Sequence, residues 1–168
     1  MKGKILVLEG TKRSGKTTFG KELISHWNGP VFYISDRSLL EHENCKDASY
    51  GYMLGVLTTA REIIEQIPNS LVILDRFQIT EYLYGKNRGY NNFYQMKKIS
   101  LMLNELGAEL YLFCSFTWRE RIEGTGNHFE FNDYVDTAHK FGIFNYRLLN
   151  FDKTEGNISK LSEAEFYV

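Results

Sequence analysis

The sequence has little with which to brace itself covalently, holding two cysteines and two prolines in 168 residues. Cys45 lies in a polar stretch and Cys114 ends an apolar one, so no disulfide framework is expected and a reducing, cytoplasmic setting fits. Neither charge sign dominates. The formal net charge of −1 excludes the broad basic field of a protein that coats long nucleic acid, while leaving room for a local cluster around a small anion. No apolar run approaches the roughly 20 residues that span a bilayer, and the opening "MKGKILVLEG" reaches glycine too soon for a signal peptide. No membrane association is expected. His26, His42, His128 and His139 show no metal-ligand spacing, and His42 with Cys45 forms only an isolated H-x-x-C, expected to be solvated loop.

What is present is an ordinary globular composition, 43% hydrophobic and 15% aromatic, without low-complexity tracts, repeats or a linker. One domain spanning residues 1–168 is expected, large enough to bury a core. "KILVLE", Lys4 to Glu9, is a short β-forming run bounded by glycines, as a strand buried on both faces should be. Phe19, Leu23 and Trp27 then recur at helical spacing until Asn28-Gly29-Pro30. Further strands are predicted at Val31–Ile34, Leu71–Leu74, Glu109–Cys114 and Tyr146–Phe151. Helices are predicted at about Ser49–Gln66, at Phe93–Leu106, and after Asn132. Strands alternating with helices imply a parallel α/β sheet with ligands outside the carboxyl ends of its strands. The charged motifs fall at that edge.

"GTKRSGKT", Gly10 to Thr17, matches G-x-x-x-x-G-K-[ST] between a predicted strand and a predicted helix. The chemistry that needs this pattern is phosphate binding. Backbone N–H groups along Gly10, Thr11, Lys12, Arg13, Ser14 and Gly15, continuing into Thr18, would wrap the phosphates of ATP. Lys16 would bridge the terminal pair, and the Thr17 hydroxyl would reach Mg²⁺. Asp75, closing the most apolar strand, stands where P-loop enzymes place a second Mg²⁺ contact, and it could equally pair with Arg76. Catalysis at such a site consists of positioning and of cations around the transferring phosphoryl group.

"LEGTKRSGKTT", Arg61 in "TTAREIIEQI", "LVILDRF" with its Asp75-Arg76-Phe77 triplet, and Arg119 and Arg121 before an aromatic helix together resemble the thymidylate kinase family. The resemblance implies an α/β, three-layer P-loop nucleoside monophosphate kinase-like fold on a five-stranded parallel sheet. It also implies ATP and Mg²⁺ as cofactors and a small nucleotide or nucleoside as partner. On the matching positions, Arg76 would contact the acceptor monophosphate and Arg37 and Arg61 would lie in the acceptor pocket. Arg119 and Arg121 would belong to a short lid at about 117–128, closing over the donor, and Arg13 would serve as a built-in arginine finger. The sequence departs from the family at Lys12, where a sugar-binding carboxylate is usual and a cation cannot accept the hydrogen bond. It departs again at Leu57, where an aromatic commonly stacks on the base; Tyr50, Tyr52 and Tyr90 are alternatives.

A second function stays open. Asp36, just after the second strand in "VFYISDRS", stands where hydroxyl-directed P-loop kinases place a carboxylate base. The acceptor would then be a hydroxyl of a deoxynucleoside, a polynucleotide end or a modified base. A third reading, nucleotide binding without turnover, leaves Lys16, Thr17, Asp75 and the lid arginines unused. Aromatic content does not decide whether the chain forms a homodimer.

Overall fold

The computed structural model describes residues 2–35, 46–89, 91–114, 131–143, 145–152 and 157–160. Strand β1 (Lys4–Gly10) leads through the glycine loop into α1 (Lys16–His26), followed by β2 (Val31–Ser35) and α2 (Lys46–Gln66). Then come β3 (Leu71–Asp75), α3 (Gln78–Asn87), α4 (Phe93–Glu105), β4 (Glu109–Cys114), α5 (Phe131–Lys140), β5 (Tyr146–Asp152) and β6 (Asn157–Lys160). The sheet order is β2-β3-β1-β4-β5-β6, and its first five strands are parallel.

The five parallel strands are those expected from the apolar runs. Two elements were not expected. Helix α3 lies where no strong periodicity is written, and β6 pairs antiparallel with β5, with Asp152 opposite Asn157. The last helix begins at Phe131, so Asn132 sits inside its first turn and does not cap it from outside.

Alternation along β1 divides the core. Ile5 and Val7 face one side with Val72, Leu74, Leu110, Leu112 and Leu148, where they meet α2 to α5. Leu6 and Leu8 face the other with Leu71, Ile73, Tyr111, Phe113 and Leu149, against Phe19, Leu23 and Trp27. Burying both strand faces gives three layers and explains why β1 and β3 carry almost uninterrupted aliphatic residues. Phe19 of α1 meets Tyr111 and Phe113 at ring-centroid separations of 5.5 and 5.3 Å. Trp27, just past α1, donates from Nε1 to the Asn69 carbonyl at 2.9 Å and ties the helix end to the turn before β3.

Candidate phosphate-binding site

The chain leaves β1 at Gly10 with φ 132, a conformation L side chains avoid, and a Cβ there would run into the Phe113 backbone of β4. Gly10 thus lets the loop start while still pressed against the neighbouring strand. Gly15, at φ 88, caps α1 without a side chain, and no acidic residue follows in the first turn. The leading N–H groups of α1 are therefore left uncapped by side chains and carry the positive end of the helix, as an anion requires.

Lys16 is 4% exposed and folds back along the loop. Its Nζ donates to the Gly10 carbonyl at 2.8 Å, the Thr11 carbonyl at 2.6 Å and Ser14 Oγ at 3.2 Å. Ser14, itself buried, closes the turn by donating to the Thr11 carbonyl at 2.8 Å. Burial pushes Lys16 down to about 7 and the Arg76 cation adds to the shift, against the opposing pull of Asp75 and Glu9. A phosphate set beside Lys16 and Arg76 would relieve both pressures at once.

Two carboxylates end adjacent strands here. Leu8 of β1 pairs with Asp75 of β3, so Asp75 projects to the α1 side with Leu8, and Glu9, one residue on, projects to the other. Asp75 Oδ2 accepts from Tyr33 Oη at 2.5 Å and lies 3.5 Å from Thr17 Oγ1. Its Oδ1 is buried without a hydrogen-bond partner among the described residues. Glu9 is fully buried and saturated: Oε1 accepts from the N–H groups of Phe77 and Ile79 at 2.9 Å and of Thr80 at 3.2 Å, and Oε2 accepts from the Thr80 hydroxyl. It supplies the cap that Phe77, at the N-cap position of α3, cannot. Burial raises the Glu9 carboxyl above its usual range, and the hydrogen bonds from Thr80, Phe77 and Ile79 pull against that shift.

Asp75 and Thr17 suit Mg²⁺. That ion keeps several waters, takes one or two protein oxygens and completes its octahedron with phosphate, and a carboxylate with one unsatisfied oxygen and the other next to a threonine hydroxyl offers what it needs. Among the described residues no group of three or more His, Cys, Asp or Glu is placed to hold a metal by itself, and this chemistry requires none.

The remaining candidates separate. Arg76 is half-buried, sits at φ 63 and anchors its N–H on the Leu8 carbonyl at 2.9 Å, beside Lys16. Arg13 is exposed in the loop at φ 61, and Lys12 and Thr18 are exposed with it. A positive φ on a non-glycine residue costs about 1–3 kcal/mol and collects at functional loops; here it falls on two of the candidate arginines. Arg61 is elsewhere. The Ile64 carbonyl accepts from Gly3 N just ahead of β1, which puts this end of α2 at the amino edge of the sheet. Arg61, one turn earlier, donates from Nε to Glu65 Oε1 at 3.0 Å on an exposed surface. The structure does not bring it to the loop. Leu57 is core, 1% exposed, while Tyr50 is partly buried against the core and Tyr52 is 38% exposed. Asp36, Arg37, Tyr90, Arg119, Arg121 and the segment at 117–128 lie outside the described residues.

Tyr33 and the capping role of Glu9 were not anticipated. Tyr33 reads as one more aromatic in a strand, and only the β2–β3 register reveals its partner. Among the described residues no helix is long and apolar enough to cross a membrane.

No family model matches the chain, and no curated protein matches it. Solved structures do. YorR of Bacillus subtilis, determined with phosphorylated GDP, superposes with a TM-score of 0.57 at 15% identity, over 96% of this chain and 90% of its own. NadR, determined with NR, gives 0.55 at 18% identity over 90% of this chain and 44% of its own, so the present chain spans less than half of NadR. A thymidylate kinase from Ehrlichia chaffeensis gives 0.48 at 17% identity, over 91% of this chain and 89% of its own. At these identities the likeness establishes the fold, an α/β sheet of five parallel strands with helices on both faces, shared with YorR and NadR.

Proposed function

We propose that the chain is an ATP-dependent phosphotransferase whose acceptor is a (deoxy)nucleoside monophosphate. The observation that carries this reading is the convergence of Lys16, Thr17, Asp75 and Arg76 at the carboxyl ends of β1 and β3, with one Asp75 oxygen left unsatisfied. The loop from Gly10 to Thr18 holds the donor phosphates. Thr17 and Asp75 would hold Mg²⁺, which would supply positive charge to offset that of the phosphates. Arg76 holds the acceptor phosphate. An acceptor oxygen that is already anionic takes the γ-phosphoryl group while the bond to the bridging oxygen of ADP breaks. The products are ADP and a nucleoside diphosphate, and no general base is required. YorR was determined with phosphorylated GDP, which supports a nucleotide as the kind of ligand. Arg13, Arg119 and Arg121 are assigned to the developing charge on the transferring group, Arg37 to the acceptor.

The test is a panel of nucleoside monophosphates, nucleosides and 5′-hydroxyl oligonucleotides offered with Mg·ATP to the wild type and to Arg76→Ala. Phosphorylation of a monophosphate, with its KM raised at least tenfold in Arg76→Ala, is expected. Transfer only to hydroxyl acceptors, abolished by Asp36→Asn, would replace this reading with the hydroxyl-directed one.

A further inference from the structure

Tyr33 stands on the edge strand β2, two residues before Ser35, and Ser35 pairs with Asp75 across the β2–β3 ladder. Residues two apart share a strand face, so Tyr33 and Asp75 project to the same side of the sheet, diagonally placed, the side covered by α1. The ring lies against α1 at Gly20. Gly20 is buried inside a helix, where glycine costs about 1 kcal/mol relative to alanine, and a Cβ added there would lie 2.7 Å from Tyr33 Cε2. The bare helix position therefore admits the ring and fixes its height above the sheet. From that height the hydroxyl donates to Asp75 Oδ2 at 2.5 Å, a short bond of the charge-assisted kind. Thr17 Oγ1 approaches the same oxygen, at 3.5 Å. Both hydroxyls thus gather on Oδ2, while Oδ1 stays buried with no partner among the described residues.

We propose that Tyr33 is a positioning residue for the Mg²⁺·nucleotide: it holds Asp75 by Oδ2 and so fixes the rotation of the carboxylate beside Thr17. This rests on the phosphotransferase reading. A carboxylate free to rotate about its last bond would present either oxygen and pay an ordering cost whenever the ion bound; the Tyr33 hydroxyl settles that rotation beforehand. Partners of this kind, one step removed from a metal, typically govern its affinity about 10- to 100-fold when removed.

The experiment measures binding of Mn²⁺ to the ADP complex by electron paramagnetic resonance, and binding of ADP without metal by calorimetry, for the wild type, Tyr33→Phe, Asp75→Asn and the double variant. Tyr33→Phe keeps the ring and its packing, and its melting temperature shows that it is folded. The expected result is a loss of about tenfold in Mn²⁺ affinity for Tyr33→Phe, with metal-free ADP affinity unchanged. In the Asp75→Asn background, Tyr33→Phe should cause no further loss, because its effect passes through that carboxylate. Wild-type Mn²⁺ affinity in Tyr33→Phe, or a further tenfold loss in the double variant, would overturn the positioning role and leave the phosphotransferase reading standing. A wild-type protein that binds neither ADP nor Mn²⁺·ADP would overturn both.

Discussion

Glu9 and Asp75 invite comparison, because they are buried carboxylates at the carboxyl ends of adjacent strands, one residue out of register with each other. They face opposite sides of the sheet and have opposite fates. Glu9 is satisfied on both oxygens by the start of α3. Asp75 is held on one oxygen by hydroxyls and bare on the other. A buried acceptor without a donor costs about 1–3 kcal/mol. Saturation fits Glu9 as a structural group, and the unsatisfied Oδ1 fits the ligand-binding role proposed for Asp75. Lys16, behind the loop, feels both charges.

Lys16→Ala removes the cation that faces both carboxylates. Phosphoryl transfer should fall at least about 100- to 1000-fold, as for loss of one preorganised charge donor, while thermal stability holds or rises; unchanged turnover in a steady-state assay would end the phosphotransferase reading. Glu9→Ala breaks the comparison from the structural side. It leaves the Phe77, Ile79 and Thr80 N–H groups without their acceptor, and a loss of about 3 kcal/mol in a denaturant melt is expected. A melt like the wild type's would show that Glu9 does not cap α3.

The Lys16 titration gives a smaller effect with a definite sign. Its amine is lowered from 10.5 to about 7 in the folded chain, so between those values the unfolded chain binds more protons and stability rises with pH. The ligand-free protein should therefore gain stability from pH 7 toward pH 10 relative to Lys16→Met, in paired melts across that range. Parallel curves would show that Lys16 is not desolvated. Smallest is Arg61→Ala, which removes an exposed i,i+4 pair with Glu65 worth about 0.3–0.5 kcal/mol. Its acceptor KM should match the wild type's; a tenfold rise would place Arg61 in the acceptor pocket after all.

Local conformation was legible in the sequence and partnership across strands was not. The strand–loop–helix passage from Gly10 to Thr17 could be read because all of its parts lie within eight consecutive residues. Strands β1 and β3 could be read because burial on both faces leaves an aliphatic run. Helix α3 could not, since Phe77 rather than Ser, Thr, Asp or Asn stands at its N-cap and its cap is Glu9, 68 to 71 residues earlier. Tyr33 was hidden for the same reason, 42 residues from Asp75 and brought to it only by the register of β2 on β3. Arg61 matched a motif position, yet the path of α2 carries it to the other edge of the sheet. Spacing in sequence predicts nearness only within an element.

The most direct test of the contrast between the two carboxylates is one paired measurement on Asp75→Asn: Mg·ATP affinity by calorimetry and stability by thermal melting. The amide keeps the size of the side chain and removes its charge. The account predicts at least tenfold weaker Mg·ATP binding, metal-free ATP binding unchanged, and a melting temperature equal to or above that of the wild type. Undiminished Mg·ATP affinity together with a lowered melting temperature would contradict it, making Asp75 a structural group like Glu9.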